Sequence, residues 1–323
     1  MKTDSFAPTR RGFLTLAAGA GALAAAGSAR QARAQVATKA RILILGAGAA
    51  GSALANRLTD RLDGAEITLV DGRKEHWYQP GFSLIAAGLK PPSYSVSRTT
   101  KWLPSGVTLK EDWAAEIDPE AKTVALQSGE SLEYDYLIVA TGLVLDHDAI
   151  EGFSLDMVGE NGLGALYAGP DYAHRTWQAA SRFIEEGGQG LFTRPGTEMK
   201  CAGAPLKHTF LVDDLARRAG TRGNMEIAYA ANNDSLFGVP IVAEKVRMLF
   251  GQRGIEANYS EVLQSIEPGR KVATFAGTNG TVERDYDYIH VIPPQRAPEV
   301  VRQSGLSWAD KWTDQGWVEV DKH

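Results

Sequence analysis

The chain is short of cysteine: Cys201 is the only one in 323 residues. No disulfide can form within the chain, even in an oxidising compartment. Metal-ligand spacing is also missing, because His147, His174, His208 and His290 are scattered along the sequence. There is no basic excess. The formal net charge is −5, which gives no footing for nucleic-acid binding. Beyond the N-terminus no run reaches the roughly 20 apolar residues that a bilayer span needs. No low-complexity segment follows residue 35. What remains is 44% hydrophobic and 23% charged, a globular composition of two-domain length.

The N-terminus reads as an address. Thr9-Arg10-Arg11-Gly12-Phe13-Leu14 is a twin-arginine pattern, followed by a weakly apolar Ala/Gly run from Leu14 to Gly27. Ala32-Arg33-Ala34 is a small-x-small cleavage site. The expectation is a signal peptide over residues 1–34 and a periplasmic protein beginning near Gln35. Twin-arginine export carries folded proteins, as a chain loaded with its cofactor before crossing would require.

Arg41 to Leu45 is an apolar strand, and Gly46-Ala47-Gly48-Ala49-Ala50-Gly51 follows at once. Ser52 to Arg61 reads as helix, and Glu66 to Val70 is a second strand ending in Asp71. This is a dinucleotide-binding βαβ unit. Gly46 permits the tight turn, Gly48 lets the backbone approach a pyrophosphate, and Gly51 lets helix and strand pack closely. Asp71, 20 positions past the last glycine, can accept hydrogen bonds from ribose hydroxyls. The fingerprint does not separate FAD from NAD. Lys122 to Leu126 and Ser131 to Tyr134 read as short strands. The apolar strand Tyr136 to Val139 ends in Ala140-Thr141-Gly142, a pattern typical of flavoproteins with two dinucleotide folds, and it favours FAD.

The second half repeats the alternation. Ala173, Trp177, Ala180 and Ile184 recur at helical spacing until Gly187-Gly188. Strands are expected at Gln189–Thr193, Met225–Ala230, Ile255–Tyr259 and Ile289–Ile292, and helices at Pro205–Ala219 and Val239–Gly251. A hairpin is expected about Asn279-Gly280. Such alternation gives parallel α/β sheets.

The second strand-to-helix turn does not repeat the glycine fingerprint. It carries Met199-Lys200-Cys201-Ala202-Gly203-Ala204-Pro205. A sulfur stands where a nicotinamide-nucleotide fold would cradle phosphate. This points away from NAD(P)H as donor and towards thiol or sulfide chemistry on a flavin. Pro205 suits the first residue of a helix, and a thiol before a helix N-terminus is favoured as thiolate. The competing reading is a buried structural cysteine. Lys207 reads either as a stabiliser of negative charge or as a solvated helix lysine. His76 reads as a structural hydrogen-bonder, and Trp102 and Trp113 as packing residues.

Three motifs carry a family resemblance: His76-Trp77-Tyr78-Gln79-Pro80, Lys200 to Pro205, and Gly316-Trp317-Val318-Glu319-Val320-Asp321-Lys322. With the dinucleotide turn, they resemble the sulfide:quinone oxidoreductases from about Ala40 onward. The resemblance implies two Rossmann-like domains with a small β-meander, bound FAD, and sulfide attack on a redox-active cysteine pair. Electrons then pass to a membrane quinone, and sulfane sulfur to an acceptor. It implies that Cys201 is one of that pair and that Ala49 and Ala50 face the pyrophosphate. Gln79 and Pro80 would border the cofactor, and Ala114 would meet the adenine through its backbone. Family members continue past the segment matching Gly316–Lys322 into a flavin-holding Gly-Asp motif, the second cysteine and membrane-docking segments. This sequence stops before them, so a fragment or truncated product is expected.

The expected organisation is a leader at 1–34, an FAD domain with meander at 35–158, a second dinucleotide fold at 159–290 carrying Cys201, and a return segment at 291–323. The expected function is flavin-dependent sulfide oxidation with a quinone acceptor. The alternatives are a flavin-weak or inactive sulfur-binding remnant and an NADH:quinone oxidoreductase of the same fold. The missing second glycine fingerprint counts against the latter.

Overall fold

The computed structural model describes residues 35–321, so the expected leader lies outside the described residues. Strand β1 (Arg41–Leu45) has four buried residues in succession, the pattern of a strand covered on both faces. Helix α1 (Ala49–Arg61) and strand β2 (Glu66–Val70) complete the βαβ unit, with Leu43 opposite Thr68 in a parallel register. The helix starts three residues before the expected Ser52, because the extended backbone at Gly48 already serves as its cap. Strand β3 (Val107–Lys110) pairs with β2 on one edge. Next come the antiparallel strands β4 (Ala114–Asp118), β5 (Thr123–Leu126) and β6 (Ser131–Glu133). Strand β7 (Tyr136–Val139) returns to β1, giving the parallel order β7-β1-β2-β3. Ile42, Ile44, Ile67 and Leu69 bury one face of this sheet, in a core with Ala55 of α1. Leu43, Leu45 and Val70 bury the other, in a core with Ile117, Val124 and Leu126 of the meander. Each such side chain contributes about 1.5–3 kcal/mol of transfer free energy.

The second sheet begins with the two-residue strand Leu163–Gly164. Helix α2 (Pro170–Glu186) follows, and ends at Gly187 with φ +86°. Strand β8 (Gly188–Thr193) leads into the Cys201 turn and helix α3 (Ala204–Ala219). Strand β9 (Met225–Ala230), helix α4 (Pro240–Arg253) and strand β10 (Ile255–Asn258) continue the alternation. An antiparallel insertion of β11 (Val262–Glu267), β12 (Val272–Gly277) and β13 (Gly280–Asp285) precedes the closing strand β14 (Tyr288–His290). The sheet order is Leu163–Gly164, β14, β8, β9, β10, all parallel.

Some local expectations shift. Pro205 is the second residue of α3 rather than the first, a position whose N–H also lacks an intrahelical partner. In the hairpin Gly277 pairs with Gly280, so Thr278 and Asn279 form the loop. Gly280, at φ +115°, opens the returning strand. Strands β3, β4 and β11 were not expected.

After β14 the chain returns to the first sheet. Gln295–Arg296 pairs antiparallel with Val144–Leu145. Ala297, Val301, Trp317 and Val318 share the core of Leu43, Leu45 and Val70. Among the described residues no helix is long and apolar enough to cross a membrane.

Candidate active site

The first turn is made of backbone. Gly46 sits at φ +102°, and a Cβ there would lie 2.3 Å from the Ala140 carbonyl oxygen. A Cβ on Gly51 would lie 1.8 Å from the Gly46 carbonyl oxygen, so helix and turn touch through that glycine. Gly48 differs: among the described residues nothing lies within 4 Å of its Cβ position, and no side chain caps α1 there. Ala49 and Ala50 are exposed. The first-turn N–H groups therefore face open space at the positive end of a helix, which fits a pyrophosphate. Asp71, at the end of β2, is 5% exposed. Its Oδ2 accepts from Ala47 N at 2.8 Å and its Oδ1 from Arg73 N at 2.9 Å. The carboxylate clamps the turn as well as facing the cleft, and carboxylate oxygens retain lone pairs for ribose hydroxyls.

A cleft of about 530 Å³ runs between the two sheets' turns. Gly48, Ala49, Ala50, Asp71, Gln79, Pro80, Thr141, Gly142 and Cys201 all line it. Gly46 and Gly51 stand behind that wall as its support. Ala114 is not on the wall; it pairs with Leu126 in the meander and packs in the core beneath. The expected adenine contact through its backbone thus lies outside this cleft.

Cys201 is exposed and sits at φ +53°, a left-handed conformation that costs a residue with a side chain about 1–2 kcal/mol. The surroundings hold it there. Its carbonyl accepts from Ala204 N at 2.8 Å, and Lys200 N donates to Gln295 Oε1 at 3.0 Å. Gln295, 1% exposed, is anchored by its own N–H to Thr197 Oγ1 at 2.8 Å. Backbone strain held by neighbours is a common property of reactive sites. Lys207 Nζ lies 3.8 Å from Cys201 Sγ, so the charge-stabilising reading of that lysine has its geometry. Burial, then the nearby Arg73, pulls the Lys200 ammonium below its ordinary range.

In the second sheet the fold brings together two histidines that stand far apart in the sequence. His208 of α3 and His290 of β14 are both fully buried, with ring centres 4.6 Å apart. His208 Nε2 meets the Tyr288 hydroxyl at 2.6 Å. Burial pushes His208 down to about 3; burial, then His208, pushes His290 well below its ordinary value. Both are neutral in the folded protein. The ring of Tyr167, which lines the cleft, meets His290 edge-on at 5.7 Å. Tyr167, Gln295 and Arg73 escaped sequence reasoning, since nothing in their local pattern marks them. His76 lies 5.7 Å from Trp102, which donates from Nε1 to Ser97 Oγ at 2.8 Å. Trp113 covers Gly72, where a Cβ would lie 2.2 Å from its ring. Both tryptophans keep nearly half of their surface exposed beside these contacts.

Residues 40–181 match the family described as pyridine nucleotide-disulphide oxidoreductase. The mitochondrial sulfide:quinone oxidoreductase of Mus musculus is 34% identical over 288 residues, covering 87% of this chain and 61% of the mouse protein. That of Dictyostelium discoideum is 32% identical over 283 residues, with the same two coverages. Over most of its length the chain is similar to the sulfide:quinone oxidoreductases. It spans about three fifths of the length of these relatives. The sulfide:quinone oxidoreductase structure from Aquifex aeolicus superposes with a TM-score of 0.70 at 23% identity, over 86% of this chain and 64% of that one, and shows the same fold. Sulfide:quinone oxidoreductases are FAD-binding flavoproteins, and the open cap at Gly48 with the clamped Asp71 fits that cofactor.

Proposed function

We propose that the protein oxidises sulfide at Cys201 and passes the electrons by way of FAD to a quinone. The observation that carries this reading is the single cleft shared by the dinucleotide turn and the one cysteine, with Lys207 beside the sulfur. FAD, when bound, supplies a two-electron acceptor. The chain's own residues do the rest. The N–H groups of Ala49 and Ala50 and the Asp71 carboxylate hold the cofactor's pyrophosphate and ribose. Gln79, Pro80, Thr141 and Gly142 border it. Cys201 presents sulfur as nucleophile or as carrier of sulfane sulfur, which a second thiol or other acceptor would remove. In this reading the sheet of residues 41–139 is the FAD domain. The sheet of residues 163–290 serves as the platform for the cysteine. Export through Arg10-Arg11, a periplasmic location and peripheral contact with the quinone-bearing membrane belong to the same proposal.

The test is anaerobic mixing of the FAD-loaded protein with sulfide or NADH. Sulfide should bleach the flavin and a short-chain quinone should restore its colour, while NADH should do neither. Bleaching by NADH with no response to sulfide would overturn the assignment of donor.

A further inference from the structure

We propose that Tyr167 donates a hydrogen bond to anionic sulfur at Cys201, acting together with the Lys207 ammonium. The proposal deepens the functional reading above and rests on it for the identity of Cys201 as the reacting sulfur.

Tyr167 lies in the turn Leu166–Ala168, between the first strand of the second sheet and α2. It lines the same cleft as Cys201 and Lys207. Its hydroxyl is buried and makes no hydrogen bond among the described residues. Ser83 lies beside it, but the two hydroxyls do not meet in hydrogen-bond geometry. A buried hydroxyl without a partner is costly, and buried tyrosines ordinarily find one. The ring is not free to seek it elsewhere. It packs in a core with Phe82, Ile85 and Leu166 and is met edge-on by His290. A sulfur anion on Cys201 supplies the missing acceptor.

The charge states agree with this direction of donation. Burial raises Tyr167 well above its ordinary value, and negative charge at Cys201 raises it further. The tyrosine therefore keeps its proton when the cysteine has lost its own. The other titratable groups on this cleft are Lys207 on α3, Lys200 in the cysteine's own loop, and Asp71, Arg73, Glu75, His76 and Tyr78 from the first sheet's side. Of these, Lys207 has its side-chain nitrogen at 3.8 Å from the sulfur. Its exposed cation and the buried neutral donor would stabilise the anion in different ways, one screened by salt and the other not.

Cys201 is the only cysteine, so alkylation by iodoacetamide reads this sulfur alone. The rate is followed against pH for the intact chain and for Tyr167→Phe, with and without added FAD. Phe keeps the ring and removes only the O–H. The pH of half-maximal alkylation should rise by about one unit, the size of one hydrogen bond to a charged group. A merely structural role would lower the alkaline plateau rate through altered access and leave the midpoint in place; that result overturns the proposal, as does an unchanged profile. A shifted midpoint in a protein whose flavin ignores sulfide would uphold the hydrogen bond and sink the functional reading instead.

Discussion

The two strand-to-helix turns occupy the same place in two parallel sheets, yet they do opposite things with the helix that follows. At Gly46–Gly51 the chain discards side chains. Gly48 leaves the cap of α1 open and Gly51 brings the turn into contact with the helix, so the site consists of N–H groups. At Lys200–Pro205 the chain places a thiol in a left-handed conformation, ahead of a helix with Pro205 in its first turn. One turn offers backbone N–H groups and tolerates no Cβ at two positions. The other presents a single exposed thiol and is held in shape by Gln295 and Thr197. A shared topology therefore brings both turns to one cleft, and a few residues at each turn decide whether it offers backbone N–H groups or a thiol.

The separation is broken most severely by Cys201→Ser. Sulfide-dependent flavin reduction should fall to background, because the hydroxyl is a far weaker nucleophile. FAD content after gel filtration should match that of the parent, since the dinucleotide turn is untouched. Loss of FAD together with activity would show that the two turns are not independent. The converse variant is Gly51→Val. Its Cβ would fall 1.8 Å from the Gly46 carbonyl oxygen, an overpacking worth about 3 kcal/mol or more. FAD retention should collapse while Cys201 remains alkylatable. Full flavin occupancy in this variant would refute the turn as the pyrophosphate site.

The two turns were not equally legible in the sequence. The first is written in contiguous glycines with a strand before and a helix after, and the acidic clamp follows at a fixed distance. The second gave its cysteine and its helix, but not what holds the sulfur. Gln295, Tyr167 and His290 reach the site across 94, 34 and 89 positions of sequence, and no local periodicity encodes such contacts. The missed strands have local causes. Ala114–Asp118 offers one fully buried residue in five, so alternation was too weak to read. Val262–Glu267 carries a register shift between Leu263 and Ser265, which breaks the two-residue period. His208 and His290, 82 positions apart, read as scattered until β14 and α3 brought them together.

That histidine pair joins α3 to β14 of the second sheet, and it should make that sheet the acid-sensitive one. In the fold His208 is held down to about 3 and His290 well below its ordinary value. Unfolded, each titrates near 6.5. Above that pH both states are neutral and the pair adds no pH dependence. Below it the unfolded chain binds protons that the buried rings refuse, so stability is lost as pH falls from about 6.5 toward 3. The slope approaches about 1.4 kcal/mol per pH unit for each histidine. Urea unfolding at neutral and acid pH measures it. His290→Leu should remove one proton's worth of slope, and a slope unchanged by that substitution would contradict the neutral pair.

The smallest effect sharpens the comparison most finely, because it separates charge from hydrogen bonding within the second turn. Lys207 Nζ is 3.8 Å from Cys201 Sγ and the lysine is exposed, so their attraction is that of a surface pair, about 0.2–1 kcal/mol. Lys207→Gln should therefore slow alkylation of Cys201 near neutral pH by only a few-fold at low salt. Added salt should slow the parent protein towards the rate of the variant, since a Debye length of about 3 Å at 1 M screens an exposed pair. The same salt should leave the difference between the parent and Tyr167→Phe largely intact, because that donor is buried and neutral. If salt erased both differences alike, the sulfur would be held by exposed charge alone. The second turn would then resemble the first, an anion site at the mouth of a helix, and not a pocket built around one sulfur.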